Sequence, residues 1–448
     1  MSKLWETGGE RNDSRRESTM SGRDREMQVE AFTVGNDYLL DQELLPYDLK
    51  ASGIHLRALE RAGLVTSEEA ETLKKGLDEI LDLWKRGEFD ILREQEDGHT
   101  AIEMWLTDRY GDQGKKIHTG RSRNDQVLTA MRLYEKERLR EILDIASGCI
   151  RSLLDVAENH QEMPMPGYTH TRKAMLSTVG QWLGGFAELM ILQMGAAEGV
   201  NHLIDRSPLG TAAGFGTTID LDRDRESEEL GFSQPLACAT SAQLSRGWVE
   251  LQLVQYLSGF SSLLSRLASD IIQFSSEAYG FISIDAYLCT GSSIMPNKKN
   301  PDVAELIRAR NALMNGYAAS LQSQTANLGA GYHRDLQLTK EPVMRAFETV
   351  SELLEMMTLL VEGLEFDEEA LVAACSSDLL AAEEAYHLVR EKGLSFRDAY
   401  REVKGRSESR ASMTLDDLFA SYRQLGSPGN PGLDRLREEL DRLTSVQT

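Results

Sequence analysis

Apolar residues at Leu244, Val249, Leu251, Leu253, Val254, Leu257, Phe260, Leu263, Leu264 and Leu267 recur at mixed spacings of three and four. That rhythm predicts a long helix buried around much of its circumference. The stretches from about 124 to 160, 172 to 203 and 301 to 328 read similarly, so the chain is expected to build a bundle of long helices. The ten prolines, Pro46, Pro164, Pro166, Pro208, Pro235, Pro296, Pro301, Pro342, Pro428 and Pro431, mark expected helix boundaries.

Helical patterns are shorter before about residue 110. One from Ser67 to Lys85 is opened by Thr66 or Ser67 as cap, with Glu69 and Glu71 in its first turns. Patterns shorten again after about residue 362, and Ser427-Pro428-Gly429-Asn430-Pro431-Gly432 is a turn cluster. The expected architecture is all-α in three domains: an N-terminal helical domain over 1–110, a central long-helix bundle over 111–362, and a small C-terminal helical domain over 363–448. Residues 1–28 are charged and, Trp5 apart, poor in aromatics, and part of this segment is expected to be mobile.

Composition narrows the function classes. With 72 Asp and Glu against 49 Lys and Arg, the net charge of -23 would repel a polyphosphate, which argues against a nucleic-acid partner. Four scattered cysteines show no paired spacing, and no apolar run approaches membrane-spanning length. No signal-peptide pattern opens the chain. A soluble cytoplasmic protein with no membrane partner is the expectation.

The densest chemistry lies in Gly291-Ser292-Ser293-Ile294-Met295-Pro296-Asn297-Lys298-Lys299-Asn300-Pro301-Asp302. Gly291 frees the backbone, Ser292 and Ser293 offer hydroxyls, and Lys298 and Lys299 supply charge for carboxylate or phosphate. Asn300 reads as a helix N-cap, with Pro301 first in the helix and Asp302 in its first turn. Gly-Ser-Ser by itself fits a solvated loop between helices better than a site. The whole string points to a site for a small dianion, near a helix N-terminus that favours anions.

This string resembles the signature of the fumarase, aspartase and argininosuccinate lyase superfamily, and its Lys-Lys-Asn-Pro-Asp ending looks most like the argininosuccinate lyase family. The segments His118-Thr119-Gly120-Arg121-Ser122-Arg123-Asn124-Asp125-Gln126, Gly167-Tyr168-Thr169-His170 and Tyr332-His333-Arg334-Asp335-Leu336-Gln337 resemble the same family in the same order, over roughly residues 30 to 350. The resemblance implies a homotetramer whose active sites are each assembled from three chains. It also implies a β-elimination of argininosuccinate to arginine and fumarate, in arginine biosynthesis, with no metal or organic cofactor.

Residue roles follow from the same resemblance. Ser292 would be the base, and Lys298 and Asn300 would bind the carboxylate beside the reacting carbon. His170, with Thr169 before it and Glu305 as partner, would be either the proton donor to the leaving nitrogen or an electrostatic partner; alone, a histidine after a proline-rich turn fits a surface role. Ser122, Arg123 and Asn124 match substrate-carboxylate contacts, a clamp of guanidinium, hydroxyl and amide. Tyr332, Gln337 and Lys340 match positions holding the arginine end, and Asp97 and His99 match a segment lining the site. The pair Asp97 and His99 offers too few ligands for a metal.

Departures from the family pattern are Thr171-Arg172 after the histidine, Leu4-Trp5 near the N-terminus, and the substrate-contacting serine near residue 33, whose place Asn36 is expected to take. Alternatives are another lyase of the superfamily, namely adenylosuccinate lyase, aspartase or fumarase, or a crystallin-like structural protein that has kept the fold without the chemistry.

Overall fold

The computed structural model describes residues 22–405 and 415–446. The expectation of mobility over 1–28, and the Leu4-Trp5 departure, fall largely or wholly outside these residues. Helix α1 (Gly22–Val34) leads into α2 (Asp37–Arg61), α3 (Ser67–Lys85) and α4 (Gly98–Tyr110). The core of this first part is built from Leu45, Leu56, Leu59, Leu73, Ile80, Ile102 and Leu106.

Local chemistry explains the helix ends here. Thr66 Oγ1 accepts from the Glu69 N–H at 3.2 Å while Glu69 Oε2 accepts from the Thr66 N–H at 3.0 Å, a reciprocal cap that fixes the start of α3. Pro46, expected at a boundary, lies inside α2 instead. A proline there cannot donate to the carbonyl four residues back. The carbonyl of Gln42 is satisfied by Trp84 Nε1 at 2.8 Å, so tertiary contact replaces the lost helical bond.

The bundle follows: α5 (Arg123–Asn159), α6 (Val179–Gly195), α7 (Ala197–Ile204), α8 (Arg223–Leu230), α9 (Thr240–Ser245), α10 (Trp248–Phe274), α11 (Asp302–Thr325) and α12 (Lys340–Glu362). Helix α5 packs against α6 and α12, and α10 lies along α11 and α12. Their shared core includes Ile150, Leu153, Leu183, Leu257, Phe260, Leu264, Phe347 and Leu354, all essentially buried. After the bundle come α13 (Glu368–Ala374), α14 (Ala381–Lys392), α15 (Phe396–Lys404), α16 (Leu415–Ser421) and α17 (Leu433–Val446). The last of these returns to pack on α5 and α6 through Leu433, Leu436 and Leu440.

Short strands punctuate the helices. The antiparallel hairpin β1 (Pro164–Thr169) and β2 (Arg172–Thr178) turns through His170 and Thr171, both at positive φ (52° and 60°). Two consecutive left-handed residues are the signature of a type I′ turn, whose twist suits a two-residue hairpin. The helix expected from 172 therefore starts only at Val179. Burial over Arg172–Thr178 alternates near its end, with Leu176 and Thr178 inward, a period of two rather than 3.6. The remaining pairs are β3 (Arg206–Ser207) with β4 (Gln234–Pro235), β5 (Ile282–Ile284) with β8 (Leu364–Phe366), and β6 (Thr290–Gly291) with β7 (Lys299–Asn300).

Two further expectations shift. The long helix expected across 244–267 is interrupted at Arg246-Gly247, where Gly247 takes φ +81° and a Cβ would sit 2.1 Å from Thr325 Cγ2. Only glycine fits there. Asn300 is not an N-cap but pairs with Thr290 in the small ladder, and α11 begins at Asp302 after Pro301. Asp302 Oδ2 accepts from the Thr290 N–H at 3.1 Å and from its hydroxyl, which closes the base of the 291–299 loop.

One charged group sits deep in the bundle. Arg132 on α5 donates to Glu135 at 2.7 Å and to Glu250 on α10 at 2.8 Å, all three buried. Burial pushes the Glu135 carboxyl above the ordinary range although Arg132 opposes it. The native state therefore keeps a proton that the unfolded chain releases at the ordinary carboxyl pKa, so this group's contribution to stability declines as pH rises between those two values. Glu135→Gln carries no such proton. Its urea-unfolding midpoint should fall less than that of the unsubstituted protein between mildly acid and neutral pH, and parallel curves would refute the assignment.

Candidate active site

The first turn of α5 is built by its cap. Ser122 Oγ accepts from the Asn124 N–H at 3.3 Å, and Asp125 Oδ1 accepts from the Ser122 N–H at 2.9 Å. The other oxygen of Asp125 takes the N–H groups of Gly210 and Ala212 at 3.1 and 2.8 Å, which ties the glycine-rich 207–214 turn to this helix start. Arg123 and Asn124 are thereby presented at the mouth of a cleft whose lining also includes Asp37, Glu96, Asp97, Arg246, Tyr332, Arg334, Gln337 and Lys340. One end of the bundle thus gathers Arg123, Asn124, Tyr332, Gln337, Lys340 and Asp97 from the sequence-predicted set, with Ser122 as the adjoining cap.

Several of these groups are engaged within the chain. Lys340, expected to meet a substrate carboxylate, is 1% exposed and held by Asp37 at 2.9 Å and Asp41 at 2.5 Å. Burial alone would lower its pKa, but the two carboxylates outweigh burial and hold it above the ordinary value. Gln337 Nε2 donates to the carbonyls of Thr33 and Val34, both at 3.1 Å, and Arg334 Nη2 to Thr33 at 2.8 Å. The Arg246 guanidinium lies over the Tyr332 ring at 5.5 Å. Asn36 is the exposed residue before α2 and makes no side-chain cap bond, whereas its neighbours Thr33, Val34 and Asp37 reach the cleft residues.

Asp97 and His99 lie beside this cleft. Asp97 caps α4 by accepting from the Thr100 N–H at 2.9 Å, and its other oxygen accepts from Arg123 Nε at 2.8 Å. His99 Nδ1 stands 3.0 Å from Asp48 on α2. Burial works against charge on all three, yet Asp97 and Asp48 stay below the ordinary carboxyl range and His99 above the ordinary imidazole value, since each faces opposite charge.

The other predicted residues lie far from the cleft. Ser292 sits in the exposed loop between β6 and β7, and its Oγ accepts from the Met295 and Ile294 N–H groups at 3.1 and 3.4 Å. Lys298 is exposed on the same loop, Asn300 closes it, and Glu305 is exposed in the first turn of α11. Thr169 and His170 occupy the hairpin tip. Helix α11, with 24 residues at about 1.5 Å each, sets Glu305 roughly 30 Å from the end that adjoins Gly247 and the cleft. Tyr168 of the hairpin packs on Phe274 at the far end of α10, whose 27 residues set the hairpin roughly 40 Å from the cleft end. His170 and Glu305 make no hydrogen bond or ion pair with each other among the described residues.

A family model described as lyase matches residues 24–315. The argininosuccinate lyase of Sorangium cellulosum (strain So ce56) is 41% identical over 443 residues, covering 98% of this chain and 99% of that one. The argininosuccinate lyase of Thermotoga neapolitana is 44% identical over 376 residues, covering 84% and 94%. The chain belongs to the argininosuccinate lyase family. Among solved structures, an EDDS lyase in complex with formate matches with TM-score 0.77 at 23% identity over 91% of this chain and 88% of that one. A class II fumarase from Schistosoma mansoni matches with TM-score 0.70 at 17% identity over 84% and 91%. Both share the helical fold.

Within this argininosuccinate lyase frame, sequence reasoning passed over Asp37, Asp41, Arg246 and Arg334. Asp37 and Asp41 stand four apart on α2, a spacing that puts both on one helix face and signals a shared cation. Arg246 reaches the cleft because the chain breaks at Gly247, so its only signal was that glycine. Lys340→Met should leave two carboxylates facing a buried site without their cation, at a cost of about 3–5 kcal/mol. Chemical denaturation would read this as a clearly lowered midpoint, and a midpoint near that of the unsubstituted protein would show that water or another cation replaces Lys340.

Proposed function

We propose that this chain cleaves argininosuccinate reversibly to arginine and fumarate, as a homotetramer in the cytoplasm, in arginine biosynthesis. The near full-length likeness to argininosuccinate lyases carries the reading, and the geometry of both bundle ends supports it. The four free cysteines suit a reducing compartment. The tripartite division at residues 110 and 362 belongs to the same reading.

In the elimination a base removes the proton from the carbon next to a substrate carboxylate, and negative charge spreads onto that carboxylate. The electron pair then forms the carbon–carbon double bond of fumarate. The bond to the guanidino nitrogen breaks, and a proton reaches that nitrogen to release arginine. Ser292 is the base in our reading. A serine alkoxide is costly, and the two N–H groups that already point at its Oγ, with Lys298 nearby in sequence, are the donors that would lower that cost. Lys298 and Asn300 hold the carboxylate on which charge develops. His170, oriented by Glu305, serves the leaving nitrogen, and Thr169 contacts substrate beside it. Ser122, Arg123 and Asn124 hold a second carboxylate, while Tyr332, Gln337, Lys340 and Asn36 serve the arginine end.

These groups meet only if several copies combine. The rigid lengths of α10 and α11 keep the cleft of one chain tens of ångströms from its own Ser292 loop and hairpin tip. Leu189 and Leu192 on α6, Leu306 and Leu313 on α11 and Leu359 on α12 are exposed in the single chain, which supports burial of the bundle against further copies.

Ser292→Ala should lower turnover, followed by the ultraviolet absorbance of fumarate, by on the order of 10²–10⁴ with helicity unchanged. Retained turnover would remove Ser292 from the base role. Mixing Ser292→Ala with His170→Asn protein after mild dissociation should restore part of the activity, because some reassembled sites draw both intact segments from different chains. No recovery in verified mixed oligomers would argue that one chain supplies both segments. Assays with adenylosuccinate, aspartate and malate alongside separate this activity from those of related lyases.

A further inference from the structure

The row of charges behind Arg123 is longer than substrate binding alone requires. Asp48 on α2, His99 and Asp97 at the start of α4, and Arg123 at the start of α5 stand in line. The separations are 3.0 Å from Asp48 to His99 Nδ1, 3.5 Å from His99 Nε2 to Asp97, and 2.8 Å from Asp97 to Arg123 Nε. Asp48, His99 and Asp97 are each more than nine-tenths buried. His99 Nε2 has no hydrogen-bond partner of good geometry and faces the Asp97 oxygen that Arg123 uses. The far end is anchored as well: Ser52 donates to Asp48 at 3.2 Å and accepts from buried Arg121 at 2.9 Å.

We infer that His99 is a positioning residue for substrate: a buried imidazolium that joins Asp48 to Asp97 and thereby fixes the guanidinium of Arg123 toward a substrate carboxylate. The inference rests on the reading that Arg123 binds that carboxylate. Its physical basis is charge sharing. With His99 protonated, the negative charge of Asp97 is divided between the imidazolium and Arg123, so the guanidinium, which also meets Glu96 at 3.3 Å, gives up less of its charge to its own carboxylates. With His99 neutral, Asp97 draws on Arg123 alone, and the cleft loses one buried positive charge where an anion must bind. The other charged groups facing His99 are Asp41 on α2, Glu103 on α4 and His118 in the turn between α4 and α5, while Arg121 acts on Asp48 and Glu103. Asp41 is also held by Lys340.

The test is the pH dependence of kcat and KM for argininosuccinate in the unsubstituted protein, His99→Gln, Asp48→Asn and Arg123→Ala. Because its carboxylate neighbours hold His99 above the ordinary imidazole value, KM should be low at neutral pH and rise on the alkaline side as the ring loses its proton. His99→Gln should raise the neutral-pH KM roughly ten- to a hundredfold with a much smaller change in kcat, and should lack the alkaline rise. Asp48→Asn, which keeps the ring but removes one supporting carboxylate, should move that rise to lower pH. The double variant His99→Gln/Arg123→Ala should bind no worse than Arg123→Ala, since both act through one guanidinium. An unchanged KM in His99→Gln, or an unmoved alkaline rise in Asp48→Asn, overturns the inference. An unchanged KM in Arg123→Ala overturns instead the underlying assignment of Arg123. Should His99→Gln lose helicity, the Asp48→Asn profile decides the matter.

Discussion

Everything in this molecule is placed by the side-by-side packing of α5, α10, α11 and α12. A helix is a rod of fixed rise, so once its apolar face is committed to the core, the positions of both its ends are settled. The segments to which we assign chemistry lie at those ends: Arg123 opens α5, Arg246 precedes α10, Glu305 lies in the first turn of α11 and Lys340 opens α12. The core built around Phe260, Leu264 and Phe347 therefore does more than stabilise. It separates one set of polar residues from another by the length of the rods.

The two ends differ in character. At the cleft, several charges are buried and already satisfied by one another, as with Lys340 between Asp37 and Asp41 and Arg123 on Asp97. At the loop and hairpin Lys298, Thr169 and His170 are exposed, while Ser292 is partly buried and meets only backbone N–H groups. Substrate binding proposed at the first end would exchange existing partners for substrate, which favours discrimination by charge pattern. The chemistry proposed for the second end would need burial by something outside the single chain, since electrostatic stabilisation gains most from exclusion of water.

Much of this was legible in the residues. The bundle followed from apolar spacing, and the cap of α3 from Thr66 with Glu69, because capping depends on neighbours within one turn. What escaped depended on distant partners. Pro46 stays helical because Trp84 satisfies the carbonyl it leaves free, and the helix around 244–267 breaks where Gly247 turns to positive φ, against the distant Thr325. The β1–β2 hairpin escaped because only the inward alternation at Leu176 and Thr178 betrayed it. Lys340 read as a free cation because its two acids lie about three hundred residues earlier in the chain.

The turn carrying His170 has a cost of its own. Histidine enters the left-handed region with some ease, but Thr171 is β-branched, and holding it at φ 60° costs on the order of 1–2 kcal/mol. The surrounding hairpin must impose that conformation, and the Thr171 hydroxyl spends its hydrogen bond on the His170 carbonyl, one residue back, at 2.6 Å. Glycine or asparagine at 171 would relieve the backbone and also loosen the tip. The hairpin thus surrenders part of the protein's stability to hold its tip in one conformation, and if His170 serves the chemistry proposed for it, thermal robustness and placement pull against each other at this single position.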